Sequence, residues 1–211
     1  MILRVSLFDH LRLAGTNGER PWTPRPRARR LLAYLLLQRR RPLSREHVAF
    51  TLWPDTLEAR ALGTLRRALS DLRAALPGPE EWLVVTDTAL GWNSEAPYWL
   101  DIDAFEQSIR EGTPSALHAA IDLYAGDLLA TWDDEWLTTE RERLRQLQLD
   151  ALRRLVAHHR ALGAYETALA LVRRALVHDP LAEAVHRDLM ALLYVVGDRA
   201  AALAAYDQLD T

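Results

Sequence analysis

Hydrophobic and polar positions alternate over residues 1–15, and this spacing predicts a pair of short β-strands. A run of apolar residues then predicts a helix at about 27–38. Ser44 can cap a second helix that runs to Trp53, because its hydroxyl can accept a hydrogen bond from a backbone N–H of the first turn. One face of the first strand carries three apolar side chains, Leu3, Val5 and Leu7.

The clearest helical pattern lies in the sequence TLRRALSDLRAAL, residues 64–76. Its leucines are spaced 4, 3 and 4 residues apart, which is the stripe of a helix lying on a core. Asp55, with Glu58 three residues later, predicts a capping box at the start of this third helix, which we place at residues 57–76. The leucines of the stripe are Leu65, Leu69, Leu72 and Leu76.

The sequence EWLVVTDTALGWN, residues 81–93, predicts a β-hairpin after the third helix. Strands, three helices and then a hairpin is the element order of a winged helix-turn-helix domain. In that architecture the third helix enters the DNA major groove and the hairpin forms the wing. We therefore predict a winged-helix DNA-binding domain over residues 1–94.

The pattern becomes almost entirely helical beyond that hairpin, and its last part contains a repeat. A helix-turn-helix period of 34 residues is that of the tetratricopeptide repeat, and Pro180 is expected to start the helix that follows the first copy. We predict a second domain over residues 98–211. Because the repeat is incomplete at Thr211, we also expect the natural protein to continue past that residue. The fold class is therefore mainly α with small β, a winged helix-turn-helix domain followed by an all-α tetratricopeptide-like helical array. The repeated residues are Gly163, Ala168 and Leu169, which recur as Gly197, Ala202 and Leu203.

Composition and charge limit the classes of function. The 211 residues include no cysteine, which excludes a disulfide scaffold, a Cys-ligated zinc site and thiol catalysis. The longest apolar run is too short to span a bilayer, and without a signal peptide we expect a cytoplasmic protein. Residues 1–94 carry 15 Arg and 9 acidic residues, a net charge of +6, whereas residues 95–211 carry 11 Arg and 20 acidic residues, a net charge of −9. The N-terminal half is thus the candidate for a polyanionic partner.

The arginines of the predicted third helix lie off its leucine stripe. Arg67 points almost directly away from the stripe, between small residues, while Arg66 and Arg73 line one shoulder. Small neighbours would let the helix approach the floor of the major groove, where arginines can reach phosphates or guanine edges. The alternative is that Arg67 and Asp71, at positions i and i+4, form only a surface ion pair.

Other residues with ligand or catalytic chemistry do not assemble into a site. His158 and His159 are adjacent, so they diverge by about 100° on a helix and cannot both face one metal. Glu183 and His186 have the i, i+3 spacing of a ligand pair, but no second pair accompanies them. There is no Gly-rich phosphate loop and no set of nucleophile, base and orienting group. We therefore expect no enzymatic activity, no metal and no cofactor.

The chain resembles the SARP-type bacterial transcriptional activators over nearly its whole length. The motifs that carry the resemblance include RARRLLAYLLLQRRRPLSREHVAFTLWPD, TLRRALSDLRAAL, DIDAFE, YAGDLL and DPLAEAVHRDLMALLYVVGDRAAALAAYDQL, in the family's order. This family joins an OmpR-like winged helix to a bacterial transcriptional activator domain, a tetratricopeptide-like helical array. Arg45, at the start of the second helix, is a further expected DNA contact. The resemblance implies that the third helix is the recognition helix and that its DNA-facing residues are Thr64, Arg66, Arg67, Ser70 and Arg73.

Two functions of different class fit these observations. The first is a sequence-specific regulator, an activator that contacts promoter DNA through residues 57–76 and RNA polymerase or a regulatory partner through the helical domain. The resemblance implies that copies pair head to tail on direct repeats, and the lack of a heptad zipper in the sequence agrees with a monomer or weak dimer in solution. The second is a protein–protein interaction module whose winged helix no longer binds DNA. The charge of +6 and the arginines favour the first; Asp71 and a wing without Arg or Lys favour the second.

Overall fold

The computed structural model describes residues 2–15, 23–178, 180 and 182–207. These residues are mostly helical and include two small β-sheets, so the predicted fold class, mainly α with small β, is confirmed. None of the helices in the described ranges is long and apolar enough to cross a membrane. The chain divides into two compact units: the first comprises Met1–Asp103 and Leu128–Glu140, and the second comprises Ala104–Asp127 and Arg141–Thr211.

The order of helices and strands agrees with the predicted order, with a few short elements added. The strands are β1 (Leu3–Ser6), β2 (Arg12–Gly15), β3 (Leu43–Ser44), β4 (Leu83–Val85), β5 (Ala89–Trp92) and β6 (Tyr98–Leu100). The helices are α1 (Pro26–Leu37), α2 (Arg45–Leu52), α3 (Glu58–Ala75), α4 (Pro79–Trp82), α5 (Asp101–Glu111), α6 (Pro114–Leu123), α7 (Thr138–Ala161), α8 (Tyr165–His178), α9 (Glu183–Val195) and α10 (Arg199–Asp207).

The first sheet contains a strand that the sequence analysis did not predict. Strand β1 pairs antiparallel with β2, as predicted, and pairs parallel with β6 along its other edge. Leu3 lies opposite Tyr98 and Val5 lies opposite Leu100. The sheet order β2-β1-β6 therefore joins the N-terminal strand to residues that follow the hairpin.

A buried carboxylate, that of Asp101, connects the first sheet to the start of α5. Its Oδ2 atom accepts hydrogen bonds from the backbone N–H groups of Leu7, at 2.7 Å, and Phe8, at 2.9 Å. Its Oδ1 atom accepts a third hydrogen bond, from the N–H of Ile102 at 2.9 Å. Burial raises the pKa of the Asp101 carboxyl, although the backbone hydrogen bonds act in the opposite direction.

The Leu128–Glu140 segment also belongs to the first unit. Its first residues pair with the end of the N-terminal strand region, where Leu129 N–H donates to the carbonyl of Leu7 at 2.9 Å. Further along, the Trp136 ring meets Tyr34 of α1 edge-on, with ring centroids 5.2 Å apart. The compact units therefore do not coincide with the predicted ranges 1–94 and 98–211, because β6 and this segment both pair next to β1.

Helices α1, α2 and α3 and the second sheet complete the first unit. The second sheet has the order β3-β5-β4, in which β4 and β5 are the predicted hairpin. Gly91 on β5 lies close to Pro42: a Cβ there would lie 3.1 Å from the Cα of Pro42, so a side chain would require a shift of a few tenths of an ångström. Trp82 of α4 and Trp92, the last residue of β5, stack with ring centroids 6.0 Å apart. The predicted winged-helix order of strands, helices and hairpin is thus present.

The second unit contains the tetratricopeptide-like array, of which α8, α9 and α10 form the last three helices in the described residues. Gly163 and Gly197, 34 residues apart, precede α8 and α10 with φ of 72° and 89°. Glycine suits both positions because other residues are strained at positive φ. The array's core includes Leu152, Leu155, Ala168, Leu169 and Val172.

The prediction that Pro180 starts a helix is wrong. Helix α9 begins at Glu183, because the extended backbone of Ala182 forms its N-cap. The incomplete end of the repeat, on which the predicted continuation past Thr211 depends, lies partly outside the described residues.

Candidate nucleic-acid interface

Helix α2 begins as the sequence predicts. The Ser44 hydroxyl oxygen accepts a hydrogen bond from the backbone N–H of His47 at 3.1 Å and so caps the first turn. The His47 ring in turn lies 3.0 Å from the Tyr34 hydroxyl of α1. These two contacts fix α2 at its N-terminal end, next to the hairpin.

Helix α3 begins without the predicted capping box. That motif would require Asp55 to be the N-cap residue and Glu58 to be the third residue of the helix. The N-cap is instead Leu57, which makes no side-chain cap hydrogen bond, and Glu58 is the first helical residue. Asp55 lies in the turn, where the Thr56 hydroxyl donates to the carbonyl of Trp53 at 2.8 Å. The capping-box prediction is therefore wrong, because the helix starts two residues later than the motif needs.

The buried and exposed faces of α3 follow the predicted stripe. Burying these leucines and alanines on one side leaves the arginines on the other, because a helix of 3.6 residues per turn separates the two sets. The buried residues are Ala61, Leu65, Ala68, Leu69, Leu72 and, just past the helix, Leu76. The expected DNA-facing residues Arg66, Arg67, Ser70 and Arg73 are exposed, and Thr64 is half-buried.

Two of the exposed arginines of α3, Arg66 and Arg67, make local hydrogen bonds. A guanidinium N–H of Arg67 donates to the Thr64 hydroxyl at 3.4 Å, and Arg66 Nε donates to the carbonyl of Leu62 at 3.5 Å. Among the described residues, no ion pair is found for Arg66, Arg67 or Arg73. Their charges are therefore available to an anionic partner.

Asp71 is neutralised from outside the helix rather than by Arg67. Its carboxylate lies 3.4 Å from a guanidinium nitrogen of Arg25 and 3.2 Å from Nε of Arg27. Only 20% of the Asp71 side chain is exposed. The predicted alternative, an i, i+4 ion pair between Arg67 and Asp71, is wrong because Arg25, just before α1, and Arg27, in its first turn, bind the carboxylate. Asp71, which the sequence analysis counted against DNA binding, thus holds the positive charges of Arg25 and Arg27 beside α3.

Arg45 attaches the hairpin to the start of α2. Its Nε and Nη2 atoms both donate to the carbonyl of Thr86, at 3.1 and 2.9 Å, and its backbone N–H donates to the carbonyl of Thr88 at 3.0 Å. The hairpin tip itself carries an exposed Asp87. Although the wing sequence has no cation, the fold therefore places the Arg45 guanidinium against its turn.

The predicted DNA-facing residues are brought together unequally. Arg45 and Arg66, from α2 and α3, line one small cavity of about 170 Å³ together with Leu62 and Leu65. Arg67 and Ser70 lie on the open outer face of α3, and Arg73 lies two turns beyond Arg66. The structure thus assembles one two-arginine corner beside the wing, with the remaining residues extending along the helix.

The histidine and glutamate residues considered as ligands do not form a metal centre. His186 is buried and its Nε2 atom lies 2.8 Å from the carbonyl of Pro180, whereas Glu183 is exposed one turn earlier. In the ranges that the structure describes, no three His, Cys, Asp or Glu side chains converge as a metal site would require. The Nε2 atom of His159 lies 3.1 Å from that of His118, a hydrogen-bond distance.

Sequence reasoning missed the residues that act through tertiary contacts. Arg25 and Arg27 lie at the start of the predicted first helix, and nothing in their spacing indicates that they meet Asp71. The link between Arg45 and Thr86 joins residues 41 positions apart. The positive charges clustered at the start of the first helix are a sequence signal that would have drawn attention to this region.

Comparisons with known proteins agree with this architecture. Residues 100–211 match the family model of the bacterial transcriptional activator domain. Over 216 residues the chain is 30% identical to the regulatory protein AfsR of Streptomyces coelicolor, covering 97% of this chain and 21% of that protein. The fold is similar to that of Mycobacterium tuberculosis EmbR, solved in complex with a low-affinity phosphopeptide, with a TM-score of 0.78 at 19% identity over 98% of this chain and 58% of that chain. The chain therefore spans only part of each of these proteins.

Proposed function

Because this chain belongs to the SARP-type bacterial transcriptional activators, we propose that it binds promoter DNA sequence-specifically, with α3 in the major groove. The observation that carries the proposal is the outer face of α3. Three exposed arginines there make no ion pair within the described residues, and Asp71, in the same half of the helix as Arg67 and Arg73, is neutralised by Arg25 and Arg27. This regulatory role requires no enzymatic activity.

The two groups of arginines have different tasks in this proposal. Arg67, in the middle of the exposed face and next to the small Ser70, is placed to reach a base edge. Arg45 and Arg66, beside the wing, form a corner suited to a backbone phosphate. Thr64 and Arg73 complete the contact surface at either end of this face. Base contacts would set the sequence preference, and phosphate contacts would set the register.

The protein is proposed to act as a pair of copies on DNA. One winged helix with one short recognition helix buries only about 600–1,000 Å². A single copy is therefore expected to bind weakly, and two copies side by side on direct repeats would gain selectivity through effective concentration. Half-sites about one helical turn apart, or a multiple of it, would place both copies on the same face of the duplex.

The helical array is proposed to contact RNA polymerase or a regulatory protein. Tetratricopeptide-like arrays offer extended surfaces for protein partners. Residues 95–211 carry a net charge of −9, which opposes a direct role in DNA binding. We propose that the winged-helix and helical regions divide the two tasks, and that the helical region on its own does not retain DNA.

The alternative function is a protein-interaction module whose winged helix does not bind DNA. The hairpin tip favours it, because this tip carries Asp87 and no basic residue of its own. Gel-shift titrations of a duplex pool with randomised sequence, at low and at physiological salt, separate the two functions. Enrichment of a common sequence at both salt concentrations supports the proposal, whereas no enrichment at either supports the alternative.

Arginine variants then locate the reader on the enriched duplex. Replacing Arg67 with Ala is expected to cost roughly 1–3 kcal/mol of specific binding and to relax one position of the sequence. Arg66→Ala should instead weaken all sequences similarly and reduce the salt slope by about one. Arg173→Ala, an exposed arginine of α8, is the matched control for the lost charge. If the triple variant of Arg66, Arg67 and Arg73 binds as the parent does, α3 is not the reader.

A further inference from the structure

A cavity of about 720 Å³ lies within the first unit, between the end of α2 and the Leu128–Glu140 segment. Sites for small molecules in proteins have volumes of about 300–1,000 Å³, so this cavity is large enough for one. Its lining includes none of the residues proposed above to contact DNA. The lining residues are Arg30, residues 50–56 and residues 133–136.

Aromatic rings form part of the wall of this cavity. Phe50, in the last turn of α2, is 40% exposed, and Trp53 and Trp136 are half-buried. The Trp136 ring is held edge-on against Tyr34 of α1. The turn that contains Trp53 is closed by the Thr56 hydroxyl, which donates to the Trp53 carbonyl at 2.8 Å. The aromatic wall is therefore fixed by contacts within the protein.

The charge of the lining is strongly negative. It contains four acidic residues and one arginine, a net charge of −3. Three of the four carboxylates are exposed and make no ion pair within the described ranges. Uncompensated carboxylates around one opening raise the local concentration of cations. These three residues are Asp55, Asp133 and Glu135.

The fourth acidic residue, Asp134, has a side chain that is only 10% exposed. Arg30 Nε lies 3.2 Å from its Oδ2 atom but is not aligned for a hydrogen bond, and no other donor in the described part of the chain bonds to that oxygen. Buried carboxylate oxygens normally accept hydrogen bonds, so this one has capacity for a further donor. The ion pair with Arg30 also shows that a guanidinium group fits beside this carboxylate.

The kind of cation follows from how these groups are arranged. No three carboxylates among the described residues converge as a metal ion would require. The aromatic rings favour an organic cation instead, because ammonium and guanidinium groups are attracted to the faces of Trp and Phe. Such groups also make strong, charge-assisted hydrogen bonds to carboxylates.

We propose that this cavity binds an organic cation, an ammonium or guanidinium group on an apolar stem. The charged group binds Asp134, and the stem packs against Phe50 and Trp53. The cation is either a free amine or the side chain of a Lys or Arg residue of a partner protein, because the same chemistry recognises both. Asp55 and Thr56 of the lining belong to the turn just before α3, so the bound cation lies beside the start of that helix.

Nuclear magnetic resonance titrations of the untagged full chain at physiological salt test the site. The probes are agmatine, which is a free guanidinium amine, and a capped tripeptide with a central arginine. Both are expected to shift the indole N–H resonances of Trp53 and Trp136. The matched neutral probe is the same tripeptide with citrulline in place of arginine, and it is expected to shift neither. Tighter binding of agmatine identifies a free amine as the source, and tighter binding of the arginine peptide identifies a partner protein.

Charge variants separate this site from general attraction to an acidic surface. Asp134→Asn is expected to weaken binding of the arginine peptide by at least about tenfold, because it removes a charged hydrogen-bond acceptor. Arg30→Gln is expected to strengthen binding, because Arg30 competes for the same carboxylate. Glu166→Gln, which removes an exposed acidic residue of α8, is the matched control and should bind as the parent does.

Circular dichroism checks that each variant folds. If Asp134→Asn does not fold, Asp133→Asn replaces it, since this exposed residue of the lining is expected to give a smaller weakening without a loss of structure. Three results would overturn the proposal: binding of the citrulline and arginine peptides with equal affinity, no binding of either cationic probe, or weaker binding by Arg30→Gln than by the parent.

Discussion

Replacing Asp101 with alanine is expected to destabilise the protein more than most single substitutions. The change removes the carboxylate that accepts hydrogen bonds from three backbone N–H groups, those of Leu7, Phe8 and Ile102. Leu7 and Phe8 are buried residues. Each buried donor left unsatisfied costs about 1–3 kcal/mol, so the first two together cost about 2–6 kcal/mol. Burying the carboxylate is itself unfavourable, so its removal offsets part of that cost. We therefore expect the free energy of unfolding to fall by about 2–4 kcal/mol.

Urea unfolding followed by tryptophan fluorescence measures this loss at pH 7. A lower midpoint with an unchanged slope would show a change in stability alone. Asp101→Asn should fall between alanine and the parent, because one amide oxygen can serve Leu7 and Phe8 but the amide nitrogen then faces the N–H of Ile102. An alanine variant within about 0.5 kcal/mol of the parent would show that the three hydrogen bonds do not hold the sheet to α5.

The same residue gives a pH dependence with a definite sign. Burial raises the pKa of Asp101 above the unfolded value, so the folded protein binds the proton more tightly than the unfolded chain does. Its contribution to stability is present below the unfolded pKa and is lost as pH rises through the folded pKa. Relative to Asp101→Asn, the parent should therefore gain stability on acidification through this window. The opposite sign would mean that the hydrogen bonds outweigh burial.

Three other substitutions test separate parts of the structure. Arg45→Ala should lower the free energy of unfolding by about 1 kcal/mol and speed amide exchange in the hairpin turn, because it removes two hydrogen bonds to the Thr86 carbonyl. Unchanged exchange would show that other contacts hold the wing. Gly63→Ala should raise the free energy of unfolding by about 0.5–1 kcal/mol, since a Cβ there has nothing within 4 Å. A lower free energy of unfolding in urea would contradict the open space beside α3. Burial lowers the pKa of His159, so its contribution to stability is present above the unfolded pKa and is lost as pH falls through the folded pKa. His159→Gln should therefore reduce the pH dependence of the melting temperature across that range. A pH dependence equal to that of the parent would refute this reasoning.

The sequence predicted several features that depend on local chemistry, although it misplaced the starts of α3 and α9. The stripe of α3 was recognisable because four leucines repeat at helical spacing over several turns, and the cap at Ser44 needs only the next three residues. The expected DNA-facing positions then followed from the opposite side of the same helix. That these side chains are exposed agrees with the expectation, and their contact with DNA stays a prediction.

The features that the sequence did not reveal depend on distant partners. Strand β6 has three residues, too few for an alternating pattern, and exists because β1 offers it an edge. Asp71 stands at the right spacing for Arg67 but binds two arginines that lie more than forty residues earlier. The meeting of His118 with His159 likewise depends on how two helices pack. The spacing of residues along one helix cannot predict that residues of another element will bind the same side chain.

The parallel pairing of β1 with β6 has a consequence for synthesis on the ribosome. The N-terminal strand leaves the ribosome first, yet Leu7 and its acceptor Asp101 are separated by 94 residues. At about 5–20 residues per second, the strand waits roughly 5–20 s for that partner. During this interval β1 has an open edge, which is the kind of surface that pairs with other nascent chains. Helices α1 to α3, whose contacts are closer in sequence, can form while the strand is still waiting.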